Sequence, residues 1–379
     1  MPRIYLDNAA TTPIDPEVLK EMYKVMESHF GNPSSIHAHG REARTIIEKA
    51  RKTVANLLHA SPSEIFFTSG GTEADNMAIR SAITDHGISH AITSPIEHHA
   101  VLHTLQAMEK SGLIKLSLVR VDKRGNIDLE HLEELLASGE RSFVSLMEAN
   151  NEIGTLTDIA AVGQICARYN AIFHCDTVQT MGHYRHDLRH LSVHFITCAA
   201  HKFHGPKGVG FLYVNPSIRI NPILFGGSQE RNMRGGTENV YGIAGLAKAL
   251  EIAYREMDAQ QEYIRELKTY MIDQLRIHIP DITFNGEIGS EKSLYTVLNA
   301  SFPVTEMADM LLFNLDIAGI SVSGGSACSS GTNIGSHVLE GIGAPEDRPA
   351  IRFSFSKYNT REEIDFTVNK LSEISNSLS

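Results

Sequence analysis

The chain has 379 residues, 42% of them hydrophobic and 21% charged, so it can bury a substantial core, is not disordered, and is long enough for two lobes. Lys and Arg total 34 against 45 Asp and Glu, and the formal net charge of −11 argues against nucleic acid or an anionic membrane as the main partner. Four cysteines (Cys166, Cys175, Cys198 and Cys328) with no CxxC pair argue against a disulfide scaffold or a zinc site; no metal is expected, and the expected compartment is reducing and cytoplasmic.

The opening MPRIYLDNAATTP has no apolar signal region, and no uninterrupted apolar run approaches the roughly 18 residues of a membrane span. Residues before about Pro13 are too few to fold alone and are expected to pack on one of the lobes. Between about residues 60 and 215, the runs EIFFTSG, HAITSP, LSLVRV, RSFVSLMEAN, AIFHCD, FITCAAHK and GVGFLYV alternate with helical stretches. This alternation specifies an α/β fold with a mostly parallel, seven-stranded sheet. FVSLM and FITCAA offer water no polar face, so both faces of the sheet are expected to be buried. Several runs end in polar clusters, and ligands of doubly wound sheets bind at that edge, so the clusters are expected to converge.

A helical pattern from about Tyr241 to Ile279 follows the Gly-rich FGGSQERNMRGGTEN and leads to a smaller α+β lobe. That lobe contains strand-like TVLNASF, the segment GISVSGGSACSSGTNIG, strand-like IRFSFS and a closing helix, for which Thr360 and Glu363 can form a capping box. The expected division is a large domain over 12–257 and a small domain made of 1–11 and 258–379.

Two successive strand ends, HCDTVQ and CAAHKFHGPKGVG, place Asp176 and Lys202 at one sheet edge. Pyridoxal phosphate needs such a pair: a lysine for its aldehyde and a carboxylate to keep its pyridine nitrogen protonated. It also needs a phosphate cup, which SGGTEADN can supply from free backbone N–H groups around Gly71 and the Thr72 hydroxyl. Taken alone, the Gly-Gly turn is equally well an ordinary strand-to-helix turn.

With these residues the chain resembles the pyridoxal-phosphate cysteine desulfurases of the class V aminotransferase superfamily, of the type serving general or nitrogen-fixation iron–sulfur assembly. The resemblance runs end to end through YLDNAATTP, FGNPSSIH, FTSGGTEADN, EHHAV, NNEIGT, HCDTVQ, AHKFHGPKGVG, GGSQERNMRGGTEN, SGGSACSSG and IRFSFS, in order and at matching spacing. It implies the type I fold of pyridoxal-phosphate enzymes and a homodimer. It also implies that Lys202 carries the cofactor, Asp176 pairs with the ring nitrogen and Gln179 donates to the ring's phenolic oxygen. His98 would lie on the ring face and help move protons, while neighbouring His99 is a hydrogen-bonded structural residue. Gly71, Thr72 and His201 would hold the phosphate, and Thr237 would reach the phosphate of the partner subunit. Arg352 would bind the substrate carboxylate, with Asn151 beside cofactor and substrate; the alternative for Arg352 is a strand arginine paired with a surface carboxylate. Asn150 reads as a turn residue.

Cys328 sits among Gly, Ser, Thr and Asn, which predicts an exposed, mobile loop and makes it the candidate nucleophile. Cys166, Cys175 and Cys198 have apolar neighbours and read as core residues. The implied reaction converts L-cysteine to L-alanine, with the sulfur passing to Cys328 as a persulfide and then to an acceptor protein such as an iron–sulfur scaffold. Selenocysteine lyase is the alternative. One position departs from the family pattern: Ala199 stands where a serine usually donates to the phosphate.

Overall fold

The structure, a computed structural model, describes residues 3–137, 139–304, 310–324 and 335–376. Strand β1 (Ile4–Tyr5) precedes helices α1 (Pro16–Ser28) and α2 (Ala38–Leu57). The central sheet follows with β2 (Ile65–Thr68), β3 (His90–Thr93), β4 (Lys115–Leu118), β5 (Ser142–Ser145), β6 (Ile172–Asp176), β7 (Phe195–Ala199) and β8 (Gly210–Val214). The spatial order is β2-β8-β7-β6-β5-β3-β4, and β8 alone runs antiparallel to its neighbours. Each of the seven apolar runs is one strand.

Helices α3 (Gly71–His86), α4 (His99–Lys110), α5 (Leu129–Leu136) and α6 (Ile159–Arg168) provide the crossovers that parallel strands require. Successive side chains point to opposite faces of a strand, and both faces here are apolar. Phe143 and Phe195 join a core with Ala78 and Leu105, whereas Val144 and Ile196 join one with Val54 and Leu250. Burial of both faces fails at β4, where Lys115 and Leu118 are exposed. As the last strand in the order, β4 has one neighbour only, and a charged residue on such an edge discourages further pairing.

Helix α7 (Val240–His278) spans 39 residues, roughly 58 Å at 1.5 Å per residue. Its first half sends Leu246, Leu250 and Met257 into the core beneath the sheet. Its second half sends Ile264, Leu267, Met271 and Leu275 into another core, with Leu298, Phe353 and Ile364. This second core lies against an antiparallel sheet, β12-β13-β10-β9, formed by β9 (Thr283–Asn285), β10 (Val297–Ser301), β12 (Ser323–Gly324) and β13 (Ala350–Ser354). The remaining elements are α8 (Leu311–Ile317), β11 (Ile320–Ser321), α9 (His337–Gly341) and α10 (Arg361–Asn376). The capping box forms before α10: the Thr360 N–H donates to Glu363 Oε2 at 3.2 Å, and the Glu363 N–H donates to Thr360 Oγ1 at 3.3 Å.

The N-terminal segment packs on both cores rather than on one. β1 pairs in parallel with β11, yet the Thr12 N–H donates to the His201 carbonyl at 2.9 Å, beyond the end of β7. Extended chain covers about 3.3 Å per residue, so a dozen residues suffice to cross from one sheet to the other. Among the described residues, no helix is long and apolar enough to cross a membrane.

Candidate active site

β2, β5, β6 and β7 run in one direction, so their C-terminal ends share an edge, and a cavity of about 320 Å³ opens there. Gly71, Thr72 and His98 line it from the starts of α3 and α4, and Asn151 from the loop after β5. Asp176 and Gln179 come from the end of β6, His201 and Lys202 from the turn after β7, and Arg352 from β13. Thr237 is exposed and is not part of the cavity wall. Cys328 lies outside the described residues.

The Lys202 Nζ donates to the carbonyls of Ala9 at 2.6 Å and Ala10 at 3.0 Å. Lost hydration, with Arg352 nearby, pulls its pKa down to about 8 against the opposing pull of Asp176 and Asp7. Burial, then Asp75, pushes Asp176 up to about 6, while His98 and the Val178 N–H, which donates to Asp176 Oδ1 at 2.8 Å, hold it down. Gln179 Nε2 donates to the Ala9 carbonyl at 3.0 Å, so one carbonyl takes both Lys202 and Gln179.

His98 caps α4. Its Nδ1 accepts from the Ala100 N–H at 3.1 Å, which leaves the ring proton on Nε2, and burial lowers its pKa and favours this neutral form. His99 is held differently from expectation, stacked on His103 and tilted against His337 with ring centroids 4.4 and 4.3 Å away. Asn150 is the turn residue expected, its Oδ1 accepting from the Glu152 and Ile153 N–H groups.

The turn before α3 is built on glycine. Gly70 has φ +152°, and a Cβ on Gly71 would stand 2.8 Å from Val178 Cγ2. The Gly71 and Thr72 N–H groups belong to the first helical turn, where no intrahelical acceptor exists. Glu73 Oε2 accepts from the Ser69 N–H at 2.8 Å and Glu73 Oε1 from Arg234 Nε at 2.8 Å, which ties the RGGTEN segment to this turn. His201 Nδ1 lies 3.2 Å from Thr11 Oγ1, and burial followed by the charges of Lys202 and Lys207 lowers its pKa to about 4, so it is neutral. The Ala199 Cβ is 3.7 Å from where a Gly71 Cβ would be.

Arg352 is buried. Nη1 donates to the Asn151 carbonyl at 3.0 Å, Nη2 donates to Asp7 Oδ1 at 2.8 Å, and Nε has no partner. It thus lines the cavity and also has a carboxylate partner. Two further groups escaped the sequence reading. Asp7 stands within YLDNAATTP, but nothing local announces that β1 will bring it to β13. Asp75 is buried on the cavity wall with Oδ1 unpartnered and 3.4 Å from His174 Nε2, and burial pushes it up to about 7. Its spacing of four from Gly71, one helical turn, was a usable signal. Cys166, Cys175 and Cys198 are buried as expected; burial raises the Cys166 thiol to about 12 and the other two well above the usual thiol range.

A lysine and a buried carboxylate facing a helix N-terminus at the carboxyl edge of an α/β sheet define a pyridoxal-phosphate enzyme of fold type I. The family described as Aminotransferase class-V matches residues 4–366, and the chain belongs to it. It is 43% identical over 376 residues to a protein named Cysteine desulfurase IscS from Dictyoglomus turgidum, covering 98% of this chain and 94% of that one. Among solved structures it is similar to a NifS-like protein, with a TM-score of 0.91 and 39% identity over 99% of this chain and all of the other. It is also similar to SspA in complex with cysteine, with a TM-score of 0.82 and 30% identity over 94% of this chain and all of the other. The family's cofactor is pyridoxal 5'-phosphate, and the residues here fit it. The cavity is of small-molecule size, its lysine has a lowered pKa, the first-turn N–H groups of α3 are free for a phosphate, and a buried carboxylate faces the space for a ring nitrogen.

Proposed function

We propose that this protein is a cysteine desulfurase: it removes sulfur from free L-cysteine, releases L-alanine, and carries the sulfur as a persulfide on Cys328 for an acceptor protein. What supports this most is the contrast among the cysteines. Three have buried thiols held protonated, and the fourth belongs to the polar segment that follows β12 in the sequence, in a chain whose cavity holds an amine, a buried carboxylate and a guanidinium.

Lys202 holds the cofactor, Asp176 its ring nitrogen, Gln179 its phenolic oxygen, and Gly71, Thr72 and His201 its phosphate. When bound, the cofactor supplies an aldehyde that captures the substrate amine and a ring that accepts the electron pair left by α-proton removal. Lys202, with a pKa near 8, has a neutral fraction at physiological pH that can take the α-proton. His98 holds its transferable proton on Nε2, since Nδ1 is engaged at the α4 cap. Arg352 takes the substrate carboxylate with Asn151 beside it. The Cys328 thiolate attacks the substrate sulfur, forming an S–S bond as the C–S bond breaks, so that L-cysteine and one thiol become L-alanine and one persulfide.

The acceptor we infer is an iron–sulfur assembly protein, since the chain is 43% identical over 98% of its length to a protein named Cysteine desulfurase IscS. Selenocysteine lyase is not favoured by relatives that carry the desulfurase name. A homodimer would bring Thr237 to the partner's phosphate. Phe30, Ile36 and Phe225, which are 78%, 91% and 85% exposed, are large apolar side chains that such an interface would cover. We place the protein in the cytoplasm and divide it into 12–257 and 1–11 with 258–379, where α7 changes core between Met257 and Ile264.

The test is L-alanine and sulfide release from L-cysteine with a reductant. Lys202→Ala should release neither. Cys328→Ser should bind L-cysteine with a change in cofactor absorbance yet form no persulfide by mass spectrometry. Normal turnover by Lys202→Ala, or the extra sulfur on another cysteine, refutes the reading.

A further inference from the structure

Resting on the reading of Arg352 as the substrate-carboxylate site, we propose that Asp7 is a positioning residue that fixes the guanidinium plane so that its unpartnered edge receives the α-carboxylate. Arg352 is tethered twice, with Nη1 on the Asn151 carbonyl at 3.0 Å and Nη2 on Asp7 Oδ1 at 2.8 Å. Two tethers on different nitrogens define the plane of a rigid fork. The side of the fork left over is that of Nε, which is buried without a partner although a hydrogen bond to a charged donor is worth making. An edge held free at that cost fits bidentate capture of a carboxylate.

Asp7 is itself held. Its Oδ1 also accepts from Ser323 Oγ at 2.8 Å, Ser323 pairs in register with Arg352 across β12 and β13, and the Asp7 backbone bridges to Ser354. The carboxylate therefore cannot swing away without also giving up the Ser323 hydroxyl, and its backbone is fixed beside β13. Orientation fixed before binding lowers the ordering cost of binding, which is where Asp7 contributes to affinity.

The experiment compares L-alanine with ethylamine, the same amine without its carboxylate, titrated into holoenzyme and read from the cofactor's absorbance. Asp7→Ala should weaken L-alanine about tenfold, roughly one charge-assisted hydrogen bond, and leave ethylamine within about twofold. Asp7→Asn keeps the acceptor oxygen and should restore L-alanine to within about threefold of wild type. In turnover the Asp7→Ala defect should appear in KM for L-cysteine more than in kcat. Equal losses for both amines, or unchanged or tighter L-alanine binding by Asp7→Ala, overturn the proposal. Asp7→Ser, too short to reach Arg352, gives the same test if Asp7→Ala does not fold. Arg352→Ala separates the two layers: if it binds L-alanine normally, the carboxylate site itself is misassigned, whereas if it loses L-alanine and Asp7→Ala does not, Asp7 alone is.

Discussion

Two buried arginines in different parts of the molecule show how the same side chain serves structure or binding. Arg51, on α2, is saturated: Nη1 and Nη2 grip both oxygens of Glu230 at 2.7 Å, Nη1 also reaches the Ile65 carbonyl at 2.8 Å, and Nε faces Glu48. Glu230 in turn accepts from the Phe67 N–H at 2.8 Å, which locks β2 to a backbone turn of positive φ at Glu230, Arg231 and Asn232. Arg352 has one carboxylate oxygen, one carbonyl and an empty Nε. A guanidinium with every strong contact satisfied inside the protein has nothing to offer a ligand; one with a buried open edge does. The same contrast separates His174, bonded through both nitrogens to Ser145 and Thr197, from Asp75 beside it, whose buried Oδ1 accepts no hydrogen bond.

The largest effect that could break this comparison is on stability. Arg51→Ala should cost about 3–5 kcal/mol, because Glu230 would be left as an uncompensated buried charge. Chemical denaturation measures it, and Arg352→Ala should lose clearly less stability while losing amino-acid affinity. If both variants lose stability equally, the division into saturated and open sites is wrong.

Ala199→Ser sharpens the comparison at the phosphate end, where the first-turn N–H groups of α3 are also open. The added hydroxyl would sit near Gly71 and donate to a dianion, which should tighten cofactor binding by roughly one to two orders of magnitude. The dissociation constants of both proteins, from dialysis and fluorescence in one buffer, decide it. An unchanged constant would mean that the position is already filled by a water or by His201.

Lys202 provides a pH test. Only the neutral amine attacks an aldehyde, and with the pKa lowered to about 8 the neutral fraction grows as pH rises through that value. The rate at which cofactor-free protein captures pyridoxal phosphate should therefore rise about tenfold from pH 7 to pH 9 and then level off. A rate still climbing steeply at pH 10 would place Lys202 among ordinary exposed lysines.

The smallest effect concerns Asp75. Its folded pKa, about 7, lies above the value near 4 of an unfolded chain, so the native state holds the extra proton between those values. Its contribution to stability is therefore present at low pH and is lost as pH rises through about 7. Asp75→Asn, which cannot ionise, should flatten the fall in melting temperature of the cofactor-free protein between about pH 4 and pH 7. The same slope in both proteins would mean that another group carries it.

Much of the fold was legible because the signals are local. Each strand falls on an apolar run too short for a helix and bounded by turn residues, so β2 to β8 are found in order although the runs overshoot the strand ends, as RSFVSLMEAN does for β5, and α7 begins and ends within a residue or so of its pattern. β4 misled on burial because LSLVRV is as apolar as its neighbours; edge position depends on sheet order, which no single segment encodes. The strand-end residues Asp176, His201 and Lys202 could be gathered in advance, since parallel strands present their carboxyl ends together. The Thr360–Glu363 cap was readable from spacing alone.

Contacts between segments distant in the chain needed tertiary structure. Asp7 meets Arg352 across 345 residues, and Ala9 meets Lys202 across 193, because Asp7 bridges to Ser354 of the small sheet while the residues just after it reach the end of β7. Which buried polar atom stays unpaired, Arg352 Nε and Asp75 Oδ1 but not those of Arg51 or His174, is likewise a property of the packed molecule. Sequence determines residue types and their local periodicity; a missing hydrogen-bond partner is defined only once every neighbour is in place, and with it the edge of the guanidinium that is free to bind.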